Sequence, residues 1–181
     1  METSKDSLKI GSPAPDFKLK GVDGKIYTLA SFAEAKALVV MFTCNHCPYV
    51  QAYEPRLIAI QRDYAAQGVR LVAINANEIK NYPEDSFEKM VVRAKELQYN
   101  FPYLRDDAQK VATAYGAACT PEIFLFDGAR RLQYHGRVDD NYKDSRLVKS
   151  YDLRKAIDAV LADRKPDPAL TPAIGCSIKW M

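Results

Sequence analysis

Cys44 and Cys47, with Asn45 and His46 between them, are the residues whose type and spacing carry the plainest chemistry in this chain. Two intervening residues in a helical turn bring the sulfurs close enough to close a disulfide, and a thiolate in such a pair attacks other disulfides. The pair stands where an apolar run, residues 37–42, ends at Thr43 and gives way to a helical pattern. The unpaired N–H groups and the dipole of that helix end favour a thiolate. This predicts Cys44 as the exposed, attacking sulfur with a lowered pKa, and Cys47, deeper in the helix, as the sulfur that resolves a mixed disulfide. His46 can donate a hydrogen bond or carry charge beside the sulfurs. That would stabilise the reduced form and make the centre more oxidising. Whether the imidazole faces the sulfurs or solvent is not legible in the sequence.

A CxxC is also half of a zinc site, but a structural site needs four ligands and usually a second close pair. The other donors, Cys119, Cys176, His46 and His135, are isolated singles, so no metal and no cofactor is expected. Thr120-Pro121 stands directly before a strand-like run, 122–126, and taken alone that proline reads as an edge residue. Asp139 and Asp140 resemble an acid pair on paper. Adjacent strand residues point to opposite faces, so they read as turn and cap residues.

The elements that must hold the cysteines follow from hydrophobic patterning. Residues 37–42, 69–74 and 123–126 are continuous apolar runs of the kind buried on both faces of a sheet, and 132–138 alternates after the turn-like 127–130. Val50, Tyr53, Leu57, Ile60 and Tyr64 mark one face of a helix ending at Gly68, within which Pro55 predicts a kink or a lost hydrogen bond. Strand, helix and strand imply one right-handed crossover. Phe87, Met90, Val91, Ala94 and Leu97 mark a second helix, entered through 83–86. A short third is capped by Asp106 or Asp107 and stops at Gly116, and Leu153, Ala156, Ile157, Val160 and Leu161 mark a fourth. Residues 14–19 and 25–29 around an Asp-Gly turn predict a hairpin ahead of the main sheet. Residues 164–168 are a proline-rich connection to a tail, 170–181.

The chain has 181 residues, 48% of them hydrophobic, enough for one domain with a core that needs no disulfide staples. We read one domain over 1–181, with its core at about 11–163 and the tail at 164–181. The net charge of +3 comes from well-mixed acids and bases, which argues against nucleic acid as a partner. Residues 1–9 are polar and lack the apolar core of a signal peptide, and no run of about 18 apolar residues could span a bilayer. As written, the sequence suggests a cytoplasmic protein with no membrane partner. Cysteines in that compartment are catalytic or metal-binding more often than structural.

Three features in order resemble the thioredoxin superfamily, in its AhpC/TSA-like redoxin branch: 11–19 with the Asp23-Gly24 turn, the strand–CxxC–helix unit at 38–47, and Thr120-Pro121 before a strand. The resemblance covers about residues 11–140. It implies an α/β thioredoxin-like fold, a central mixed sheet of four or five strands flanked by helices, with an N-terminal hairpin, an insertion at 78–104, and a C-terminal helix plus tail. It also implies that Pro121 is cis and packs on the CxxC, making Thr120 and Pro121 substrate-binding candidates through strand-like pairing with a peptide.

The chain departs from that pattern at several points. Thr43 replaces the tryptophan usual before the first cysteine, so Thr43 and His46 are the redox-tuning candidates. No acid lies in 38–42, and Glu122 is either its substitute or a plain surface carboxylate. Peroxiredoxins carry a threonine three residues before the reactive cysteine, where this chain has Met41. Cys119, two residues before Pro121, is a candidate third thiol or a small buried hydrophobe. Trp180 requires a surface, which suggests that the tail folds back towards the active face.

The expected function is a thiol–disulfide oxidoreductase with a protein or small-thiol partner. Its alternatives are a thiol peroxidase and a non-enzymatic zinc-binding or scaffold protein. Oligomeric state is not legible.

Overall fold

The run 37–42 becomes the central strand β3 (Ala37–Phe42), every residue of it buried. Its pleat divides the core: Val39 and Met41 join one apolar cluster, Leu38, Val40 and Phe42 the other. The computed structural model describes residues 7–181; residues 1–6, part of the stretch read for a targeting signal, lie outside the described residues.

Helix α1 (Pro48–Tyr64) starts with Pro48 in the first turn, where its missing N–H costs nothing. It lays Val50, Tyr53, Leu57, Ile60 and Tyr64 inward, as their spacing requires. The helix runs continuously through Pro55, which cannot donate the bond that its turn would otherwise make. The chain reverses at Gly68, in the left-handed region at φ 81°. It returns as β4 (Val69–Asn75), parallel to β3. On the other side of β3 lies β7 (Glu122–Asp127), antiparallel, and β8 (Leu132–Gly136) completes a hairpin.

The N-terminal hairpin, β1 (Leu19–Gly21) with β2 (Ile26–Tyr27), is not a separate unit ahead of the sheet. It joins the sheet through β5 (Tyr103–Arg105), which pairs parallel with β4 and antiparallel with β1. The result is seven strands in the order β2-β1-β5-β4-β3-β7-β8, more than the four or five expected. β5 is three residues long and immediately follows Pro102, too short to show a period of two.

Helix α2 (Phe87–Glu96) is capped by Ser86, whose Oγ accepts the Lys89 N–H at 3.4 Å. Of its expected apolar face only Met90 and Ala94 are buried, because it covers the short β5 rather than a broad sheet. Helix α3 (Lys110–Tyr115) has its free N–H groups met by Asp106, which accepts from Val111 and Ala112 at 3.0 and 2.9 Å. Helix α4 (Asp152–Leu161) packs Leu153, Ala156, Ile157 and Val160 into the cluster that α1 also covers.

Beyond α4 the tail runs beside β8, where Thr171 N–H donates to His135 O, and returns to the C-terminal end of β3. There β9 (Cys176–Ser177) pairs antiparallel with β6 (Cys119–Thr120). The tail therefore folds back to the active face as expected, although Trp180 stays 45% exposed. Among the described residues no helix is long and apolar enough to cross a membrane.

Candidate active site

The turn between β3 and α1 is held from several sides. Thr43 is buried and its N–H donates to Ile74 O, extending the β3–β4 pairing by one residue. Asn45 is fixed at four points: its N–H donates to Asp85 Oδ1 at 2.6 Å, its side-chain amide to Glu84 O at 2.8 Å, Tyr103 Oη–H donates to Asn45 Oδ1 at 2.8 Å, and Gln51 donates to Asn45 O at 3.0 Å. Locked neighbours of this kind hold a reacting pair in one geometry.

Thr120 meets both sulfurs. Its Oγ1 lies 3.3 Å from Cys44 Sγ, and its carbonyl oxygen lies 3.4 Å from Cys47 Sγ, which donates to it while Cys47 carries its proton. The Thr120–Pro121 peptide is cis, as the resemblance implied, and the loop does pack on the CxxC.

Two expectations for the cysteines are corrected. Cys44 is not exposed at the strand's end: it is 1% exposed and Cys47 0%, because the Thr120 loop and Cys176 close over them. Nor is Cys44 the sulfur with the lowered pKa. Helix α1 begins at Pro48 with Cys47 as its N-cap, so the positive helix end faces Cys47. The Cys44 thiol hydrogen-bonds to Cys47, and this, with a further bond from Cys176, lowers the Cys47 pKa to about 4 against the cost of burial. Cys44 is raised well above the ordinary thiol range by that same bond, then by burial, with the Asp85 carboxylate adding to the effect. The two sulfurs titrate as a pair, with loss of the first proton favoured on the Cys47 side.

Asp85 is the residue beside the cysteines that sequence reasoning missed. The 3₁₀ turn Pro83–Asp85 carries it, fully buried, beside the motif. Besides Asn45 N–H it accepts from Asn75 and Asn77 side-chain amides at 3.1 and 2.9 Å. The acid absent from β3 is supplied by the insertion, whose sequence reads only as a helix start. His46 faces this acid: its Nδ1 lies 2.6 Å from Asp85 Oδ2 and its ring stacks on Tyr82. Ligand atoms of Cys44, His46 and Asp85 lie within 4.8 Å of one another, the arrangement closest to a metal-binding group among the described residues. It offers three donors, one short of a structural zinc set, and the carboxylate is already shared among three amides.

Glu122 is neither a surface carboxylate nor turned to the sulfur pair. It is 4% exposed, accepts from Ala118 and Cys119 N–H at 2.6 and 3.1 Å, and lies 2.7 Å from His135 Nε2. It therefore ties the loop before Pro121 to β8. Beside it the Cys119 thiol is pushed up to about 12, by burial first and by Glu122 second. Asp139 makes a turn as expected, accepting from Asn141 N–H at 3.0 Å. It is also buried and paired with Arg56 at 2.8 Å.

A model of the AhpC/TSA family matches residues 10–135 of the chain. The thiol-disulfide oxidoreductase ResA of Geobacillus thermodenitrificans is 30% identical over 125 residues, 69% of this chain and 67% of that protein. Among solved structures, a hypothetical protein of Sinorhizobium meliloti 1021 is 44% identical with a TM-score of 0.91, over 97% of this chain and 96% of its own. A putative thioredoxin from Neisseria meningitidis is 21% identical with a TM-score of 0.66, over 83% and 90% of the two chains. At that identity it bears on the fold alone, which is thioredoxin-like.

Proposed function

The chain belongs to the AhpC/TSA family, and from that premise we propose that it is a thiol–disulfide oxidoreductase cycling between a Cys44–Cys47 dithiol and disulfide. The observation that carries this reading is the pair itself: two cysteines packed in one buried cluster, one of them the N-cap of α1, both meeting Thr120 beside a cis-proline. A thiolate at Cys47 with a thiol donor at Cys44 is one proton away from closing the disulfide once an oxidised partner is engaged. The name borne by the ResA relative supports the same chemistry. Thr43 and His46 tune the pair, Thr120 and Pro121 position a partner segment, and the partner is a protein or a small thiol. The setting is cytoplasmic, which fractionation of cells expressing the tagged chain tests.

Equilibration with glutathione buffers, followed by peptide mapping, checks the reading. A reversible disulfide between Cys44 and Cys47, and loss of protein-disulfide exchange in Cys44→Ser and in Cys47→Ser, are expected. A pair that stays reduced while exchange persists would sink it.

A thiol peroxidase is the second reading, favoured by one observation: the Thr120 hydroxyl reaches Cys44 through space, although no threonine precedes it at the usual spacing. Burial and the raised pKa of Cys44 oppose it, since the thiolate is the nucleophile. Peroxide consumption by wild type no faster than by free cysteine dismisses it. The zinc reading draws on Cys44, His46 and Asp85. Stoichiometric zinc released on thiol modification would favour it over the redox reading.

A further inference from the structure

A buried pair needs a route to its partner, and the tail lies on that route. In the β6–β9 pairing Thr120 stands opposite Cys176 and Cys119 opposite Ser177. Opposed residues of an antiparallel pair project to the same face, and successive residues of one strand to opposite faces. Since Thr120 turns its hydroxyl to Cys44, Cys176 projects towards the sulfur pair and Cys119 away from it. The packing agrees: Cys176 lies against the cluster of Cys44, Cys47 and Val50. Of these three sulfur-bearing residues it alone reaches solvent.

The tail is fitted to this position. A Cβ on Gly175 would stand 2.0 Å from Thr120 O, so only glycine permits the approach. Ile178 is buried and its N–H donates to Ala118 O at 3.0 Å. Lys179 O accepts from Glu78 N–H and from the Gln109 amide, both at 2.8 Å, and Lys179 N–H donates to Asn77 Oδ1 at 2.9 Å.

We propose that Cys176 is a third redox thiol of this site, forming a disulfide with Cys47 and carrying exchange between the buried pair and a disulfide-bearing partner. The tail strand occupies the edge of β6 here, so a partner segment reaches Thr120 and Pro121 beside the tail or in its place. The proposal rests on the redox reading of Cys44 and Cys47, and it replaces Cys119 with Cys176 as the third thiol.

When a partner is reduced, the Cys47 thiolate takes the Cys176 proton. The Cys176 thiolate attacks the partner disulfide, and one partner sulfur leaves and receives that proton from Cys47. Cys47 then attacks the Cys176 sulfur. A Cys47–Cys176 bond forms, and the second partner sulfur leaves and is protonated from Cys44. Finally Cys44 attacks Cys47, closing Cys44–Cys47 and releasing Cys176 as a thiolate. Two electrons pass from the pair to the partner, whose disulfide is the only oxidant.

The test is to oxidise Cys44→Ser with glutathione disulfide and map the peptides, together with quenching wild type by rapid alkylation during turnover on a protein disulfide. A Cys47–Cys176 link in both is expected. Cys176→Ser should stay folded and still close Cys44–Cys47 with a small oxidant. Its turnover on the protein disulfide should fall about a hundredfold, the scale of losing an oriented intramolecular group. Glutathione held on Cys47 with Cys176 free, or turnover of Cys176→Ser equal to or above wild type, overturns the proposal. Failure of the underlying reading is distinguishable, because wild type itself would then close no Cys44–Cys47 bond.

Discussion

Replacing Gly175 with alanine attacks the docking of the tail at a single point. The added methyl would stand 2.0 Å from the Thr120 carbonyl oxygen and 2.5 Å from its carbon, and neither is the movable end of a side chain. One backbone must withdraw, and the two-residue β9 is the freer, since β6 leads directly into β7 of the main sheet. Docking buries the Ile178 side chain, about 1.5–3 kcal/mol. The backbone bonds of β9 and residues 178–179 add about 0.5–1.5 kcal/mol each. Ordering the segment takes back about 1–2 kcal/mol per residue, so the net docking energy is a few kcal/mol at most.

A loss of about 2 kcal/mol shifts the docked–undocked ratio about thirtyfold. Cys44 and Cys47 are covered by this segment, so their labelling by a thiol reagent, gated by its opening, should accelerate by a similar factor. Trp180 is the single tryptophan of the chain, which makes its emission a direct report on the tail. In Gly175→Ala its spectrum should shift towards that of a solvated indole while far-ultraviolet circular dichroism stays unchanged. Equal labelling rates and an unchanged spectrum would refute the close approach of Gly175 to Thr120.

Cys44→Ala removes the strongest support of the Cys47 thiolate, so the step in ultraviolet thiolate absorbance should move up from about 4 towards the ordinary thiol range. Because the folded pKa of Cys47 lies below the unfolded one, its contribution to stability is complete above the ordinary thiol pKa. It is lost as pH falls towards 4; urea midpoints should show this slope in wild type and a weaker one in Cys44→Ala. Glu122→Ala leaves His135 and two N–H groups without their buried acceptor, and should cost about 3 kcal/mol or more in urea unfolding; a cost under about 1 kcal/mol would contradict the assigned contacts. His46→Ala should lower the reduction potential measured against glutathione, whereas an unchanged or higher value would remove the tuning role of the imidazole.

Much of the frame is legible in the sequence because it rests on local pattern. Apolar runs long enough to show their period gave β3, β4 and β7, and three- and four-residue spacing gave α1 and α4. Strand, CxxC and helix in succession placed the sulfurs in one turn, whereas the cis-proline loop was implied only by the family resemblance. β5 was not legible, since three residues carry no periodicity. It was this short strand that admitted the N-terminal hairpin to the sheet.

What the sequence by itself determined is the chemistry available: two thiols one turn apart at a strand–helix junction. How the pair shares its charge depended first on the contact between the two sulfurs, then on burial, and for Cys44 also on Asp85, which arrives from 38 residues beyond Cys47 in the chain. Which thiol stands third depended on strand pleat. Cys119 is nearest to Pro121 along the chain, but the β6–β9 register turns it away and turns Cys176 inward. Charge placement and access are properties of distance through space, and distance along the chain fixes them only within one element.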